Sequence, residues 1–268
     1  TVLEADESTR YLVLEMGASG PGHIAYLTDI APLDAAGVLM IGHAHMGGFG
    51  SIEGVAAAKA EIIAGLLPEG TAVLNADDAR AAAMAELAPA RVLTFSAQGR
   101  QADLRAENVN LDAAARAAFD LHLPGLAEPR RVQLAVAGAH NVSNALAAAG
   151  LALAAGLDPE LVADRLGSVS IESPHRMDVS ELGGDLLLID DSYNANIDSM
   201  TAALAVLPAL AGGRRRVVVI SEMLELGESS AADHARTGEL AAQAGAAMLI
   251  GIGSTQEALE AARARGVE

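Results

Sequence analysis

Several clusters of side chains in this sequence have types and spacings that could do chemistry. The densest is Asp190-Asp191-Ser192-Tyr193-Asn194-Ala195-Asn196-Ile197-Asp198-Ser199-Met200, directly after the apolar Leu186–Ile189. A turn and a helix cap use two or three such residues; the surplus suggests ribose and phosphate contacts. Upstream, Gly138-Ala139-His140-Asn141-Val142-Ser143-Asn144 places two Asn at i and i+3, on one face of a first helical turn. Asn can cap a helix, and two carboxamides side by side could also read a purine edge. Lys59 is the only lysine among 17 Lys and Arg. An amine can lose its proton and react where a guanidinium stays charged, so Lys59 is a candidate reactive group. The competing reading is a chance survivor on a helix surface.

His43-Ala44-His45 follows an apolar run, where loops at the carboxyl ends of parallel strands carry ligands. In an extended segment both imidazoles face one side, which leaves a two-His metal site open, although zinc wants three protein ligands. Glu15 ends the neighbouring apolar run and would converge on the same rim. One carboxylate with one imidazole is a loose site, suited to Mg²⁺ that also takes phosphate oxygens and water. Gly17-Ala18-Ser19-Gly20-Pro21-Gly22 is read as a turn, because Pro21 removes a backbone donor and neither dinucleotide nor Walker spacing is met.

These residues need a scaffold of alternating strands and helices. Tyr11–Met16 and Ala36–Ile41 read as strands with a helix between them, Ile52–Leu67 as a helix, and Thr71–Leu74 as a strand. Val92–Ser96, Phe119–Leu123 and Val132–Val136 read as a small antiparallel insert, followed by a helix over Gly138–Leu157. After a linker at Ser170–His175, strands at Leu186–Asp190, Arg216–Ile220 and Ala247–Ile252 alternate with helices near Ser199–Leu210 and Ala231–Ala244. The expected fold is α/β: a central domain over residues 1–172 with a parallel sheet, then a second, Rossmann-like domain over residues 173–268.

Composition narrows the classes. With 51% hydrophobic residues, 2% aromatics and no cysteine, the chain has material for two aliphatic cores and no thiolate chemistry. A net charge of −18 opposes general binding to nucleic acid or anionic membranes. No apolar run is long enough to span a bilayer, and the cytoplasm is the expected location.

Taken together, the motifs resemble the Mur ligases, the ATP-dependent amide ligases of cell-wall precursor assembly. The carriers are Val13–Ala18, Ala44-His45-Met46, Phe49–Glu53, Ala58–Glu61, Asn75-Ala76-Asp77-Asp78, His140–Asn144, Arg176-Met177, Asp190–Met200 and Met223–Gly227. Within the family the Asp190–Met200 run points to the member that joins D-Ala-D-Ala to UDP-MurNAc-tripeptide. The resemblance implies ATP and Mg²⁺ as cofactors, with Glu15, His45 and a carbamylated Lys59 at the metal. It implies Asn141 and Asn144 at adenine, Asp191 at ribose, Arg176 at the phosphates, and Tyr193, Asn194 and Asn196 along the closed cleft. A monomer with no nucleic-acid partner and no membrane insertion is expected.

Met40, Gly47 and Ile197 depart from the family pattern, as do His43 and Ser221-Glu222. The family's UDP-binding domain, its GxxGKT/S-type loop and its last C-terminal strands are not among these residues. The chain alone is therefore expected to be inactive; the other reading is a non-catalytic nucleotide-binding or interaction module descended from a Mur ligase.

Overall fold

The computed structural model describes residues 2–42, 49–170 and 173–268. Its first part is built on one six-stranded sheet, in the order β1 (Leu33–Val38), β2 (Leu66–Asn75), β3 (Arg91–Ser96), β4 (Leu104–Leu111), β5 (Arg116–His122) and β6 (Arg130–Ala137). β1 to β4 pair in parallel, and β4, β5 and β6 pair antiparallel. The expected antiparallel insert continues the same sheet. The strand at residues 92–96 belongs to the parallel part, and β4 is the piece that turns the direction.

Burial follows this change. The second half of β2, Thr71–Asn75, is buried on both faces, as a central parallel strand must be. β5 alternates buried Ala117, Phe119 and Leu121 with more accessible residues, as in an antiparallel strand with one solvated face.

The period of two in β2 divides its side chains between two cores. Val73 joins Phe95, Phe119 and Leu121 beneath α4 (Asn141–Ala154) and α5 (Pro159–Leu166). Ala72 and Leu74 join Val38, Val55 and Ile63 on the opposite face, where α2 (Ile52–Ala64) and α3 (Ala79–Ala83) pack. α1 (His23–Ile30) precedes β1. α5 starts at an Asp158 cap with Pro159 in the first turn and stops at Gly167.

Two strand expectations are corrected. Tyr11–Met16 forms no strand, and Tyr11, Leu12 and Val13 are exposed. A strand exists only through a neighbour's hydrogen bonds, and this apolar run pairs with none among the described residues. β1 also ends at Val38 rather than Ile41. Beyond it the backbone is satisfied by side chains: Asn75 Nδ2 donates to the Leu39 carbonyl at 2.7 Å, and Asp78 Oδ2 accepts from the Ile41 N–H at 2.7 Å.

The second part opens with an antiparallel hairpin, β7 (Asp178–Gly183) and β8 (Leu186–Asp190). It continues with α6 (Ile197–Ala211), β9 (Val217–Ser221), α7 (Ser230–Gln243), β10 (Met248–Ile252) and α8 (Gln256–Arg263), with β9 and β10 parallel. Leu204, Val218, Ile220, Leu240, Leu249 and Ala258 form its core. Among the described residues no helix is long and apolar enough to cross a membrane.

Candidate functional site

The candidate residues fall into three places near the carboxyl rim of the main sheet. Glu15 and Lys59 line one recess of about 180 Å³, together with Met16, Ala18, Ile24 and Phe49. Lys59 reaches it from α2, where Val55 and Ala58 face the core. Glu61, two residues further on, reaches the start of α1. Its carboxylate accepts from the backbone N–H groups of Gly22 at 2.7 Å and Ala25 at 3.0 Å, holding the start of α1 against α2. Neither the Glu15 nor the Lys59 side chain has a hydrogen bond or ion pair to another described residue. His43, His45 and Gly47 lie outside the described residues. Among the described residues no three His, Asp or Glu side chains gather into a metal-binding group.

The second place is the start of α4. Asn141 is not the cap: His140 holds that position, and its side chain makes no capping bond. Instead Asn141 Nδ2 donates back to the Ala137 carbonyl at the end of β6, at 2.8 Å. Asn144 Nδ2 donates to Asn141 Oδ1 at 3.0 Å, so the two carboxamides do share one face. Gly138 has a φ of 110°, and a Cβ there would lie 2.5 Å from His140 Cε1. Only glycine permits this turn from strand to helix.

The third place is the Asp190–Ser199 run, where structure accounts for more of the polar side chains than a turn and a cap would use. Asp190 Oδ1 accepts from the Ser192 N–H and hydroxyl, and its Oδ2 lies 2.7 Å from His175 Nδ1. The Ser192 hydroxyl and the His175 imidazole hold the Asp190 carboxyl down to about 2. Asp191 Oδ1 accepts from the Met177 N–H at 2.9 Å. Burial pushes the Asp191 carboxyl up, opposed by that N–H and by the charges of His140 and Arg176. Desolvation also lowers His140, opposed by Asp191, so the first turn of α4 and the start of this run lie within electrostatic reach. The Arg176 guanidinium stacks 4.1 Å from the centroid of the exposed Tyr193 ring. Asn194 Oδ1 accepts from the Ala195 N–H, and Asn196 and Ser199 form a reciprocal capping box for α6.

His175, which carries no motif signal in the sequence, and Met177 take positive φ values of 62° and 50°. Such conformations cost non-glycine residues roughly 1–3 kcal/mol and persist only where surrounding contacts fix them. Here the contacts come from Asp190 and Asp191. The two parts of the chain also approach at Gly42, where a Cβ would stand 2.8 Å from Asp198 Oδ2.

The arrangement provides an amine and a carboxylate on one recess, paired carboxamides at a helix start, and, within electrostatic reach of that helix start, a carboxylate beside a guanidinium. Comparison with known proteins gives the family. A model of the Mur ligase middle domain matches residues 1–152, and a model of the Mur ligase glutamate ligase domain matches residues 175–267. The UDP-N-acetylmuramoyl-tripeptide--D-alanyl-D-alanine ligase of Mycobacterium bovis is 44% identical over 258 residues, covering 95% of this chain and 50% of that protein. The Escherichia coli enzyme of the same name is 36% identical over 99% of this chain and 58% of its own length. A crystal structure of MurF from Acinetobacter baumannii superposes with a TM-score of 0.87 at 35% identity, over 97% of this chain and 56% of that one. MurF of Thermotoga maritima, solved with ADP, gives 0.76 at 27% identity, over 92% of this chain and 55% of that one. The chain thus spans about half the length of the curated relatives it matches, and by fold and sequence it belongs to the Mur ligase family.

Proposed function

We propose that these residues are the ATP-using and amide-forming part of a ligase that joins D-Ala-D-Ala to UDP-MurNAc-tripeptide. The observation that carries this reading is the 44% identity over 258 residues, 95% of this chain, to a relative of that name. In the proposed reaction the tripeptide carboxylate attacks the γ-phosphate of ATP, giving an acyl phosphate and ADP. The dipeptide amine then attacks the acyl carbon, and phosphate leaves.

Asn141 and Asn144 would hold adenine, Asp191 the ribose, and Arg176 the phosphates, with Tyr193, Asn194 and Asn196 lining the cleft. An Asp191 carboxylate next to a guanidinium and an imidazole suits the accepting of ribose hydroxyls. The shared recess of Glu15 and Lys59 fits a magnesium site, because a carboxylate and an amine that can become a carbamate meet there. Glu15, His45 and the Lys59 carbamate would hold Mg²⁺, which would neutralise charge on the transferring phosphoryl group. We further propose that the protein is a cytoplasmic monomer.

A domain exchange tests the reading. Residues 1–268 replace the matching stretch of the A. baumannii enzyme, and phosphate release from ATP is followed with UDP-MurNAc-tripeptide and D-Ala-D-Ala. Release that requires both substrates is expected. ADP binding without turnover would favour the non-catalytic module, a reading also prompted by Met40, Gly47 and Ile197.

A further inference from the structure

The segment joining the two parts, His175-Arg176-Met177, runs alongside the start of the Asp190 run as an extension of the β7–β8 hairpin, in which Asp178 pairs with Asp190. It is fastened on both sides of Arg176. His175 is held by its ring to Asp190 at 2.7 Å and by its carbonyl, which accepts from the Tyr193 N–H at 3.0 Å. Met177 is held by its N–H to Asp191. Asp190 is itself immobilised, since its other oxygen accepts twice from Ser192 at 3.1 and 2.7 Å. Arg176 sits between two non-glycine residues in the left-handed region, so its direction depends on both staying there. Released from Asp190, residue 175 would relax to an ordinary conformation and swing Arg176 away from Tyr193.

We propose that His175 is a positioning residue: through Asp190 it keeps the backbone at 175 left-handed and thereby holds the Arg176 guanidinium over Tyr193. The functional side of this inference rests on the reading that Arg176 and Asp191 serve the nucleotide. The geometric side does not.

Two measurements on the 268-residue chain separate them. The first is the ring-current shift that Tyr193 imposes on the Arg176 side-chain protons, assigned by NMR with Arg176→Ala as the reference. His175→Ala and Asp190→Asn should collapse that shift in protein that still melts cooperatively. His175→Asn should keep it, because Asn tolerates the left-handed region and its Nδ2 can stand in for the ring Nδ1. An unchanged shift in His175→Ala, or an equal collapse in His175→Asn, overturns the proposal; if His175→Ala fails to fold, the Asp190→Asn and His175→Asn arms decide it alone. The second is ADP titration by calorimetry. His175→Ala should weaken ADP about tenfold, the scale of one charge-assisted hydrogen bond, with His175→Asn restoring it. If ADP binds neither the 268-residue chain nor the exchanged enzyme while the ring-current pattern holds, the nucleotide reading falls and the positioning role stands.

Discussion

The Glu15–Lys59 recess and the Asp190–Ser199 run both carry candidate chemistry, yet they stand differently in the fold. In the recess the two candidate side chains have no polar partner among the described residues, and the stabilising work is done by their neighbour Glu61. In the run Asp190, Asp191, Ser192, Asn194, Asn196 and Ser199 all bond to backbone or side chains nearby. A high density of polar residues can therefore measure how a linker and a helix start are built. Glu15 and Lys59, whose side chains hold no polar partner among the described residues, are the candidates that the fold does not already employ.

The comparison breaks if variants of the two regions behave alike. The largest effect is expected at Lys59→Arg in the exchanged enzyme. Turnover should fall at least about 100-fold, the scale seen when one group stabilising charge in the transition state is removed, with the melting temperature unchanged. Wild-type turnover there would remove Lys59 from the reaction. Next, Asn196→Ala in the 268-residue chain should cost about 1 kcal/mol in urea unfolding, because one capped N–H of α6 loses its acceptor. An unchanged urea midpoint would mean the capping box contributes nothing.

A smaller effect concerns acid. Asp190 sits near 2 in the fold against an ordinary 3.8, so its contribution is present above the unfolded value and lost as pH falls from about 4 to 2. In a ¹³C titration the Asp190 carboxyl should move upward toward the ordinary value in Ser192→Ala, whose hydroxyl is the largest cause of the depression. The smallest effect is at Glu15→Gln, which should shift stability by less than about 0.5 kcal/mol, as surface changes without partners do. A large loss would place Glu15 among the structural residues and erase the contrast.

What the sequence made legible follows from how local each cause is. α2 could be read from the helical spacing of its apolar residues, and α4 from its alanine-rich run behind His140-Asn141. α5 went unread although Asp158-Pro159 and Gly167 mark both its ends. Tyr11–Met16 misled because an apolar run says nothing about whether a neighbouring strand exists. β4 was hidden because its second half, Glu107–Leu111, is accessible or exposed and partly polar. The employment of Asp190 and Asp191 was invisible for a different reason. Their partners, His175 and Met177, lie 15 and 14 residues away and are brought close only by the β7–β8 hairpin.

The clamp at the end of β1 has a consequence for the order in which this molecule can assemble. Leu39 and Ile41 are gripped by Asn75 and Asp78, whose sequence separations are 36 and 37 residues. The chain leaving the sheet at Gly42 thus has no settled direction until β2 has docked and the first turn of α3 has formed. A contact of that sequence separation carries a loop-closure entropy that a local helical contact does not. The rim beyond β1 is therefore complete only once residues 75 and 78 are in place, and a chain that stops short of residue 78 lacks the side chains that fix Leu39 and Ile41.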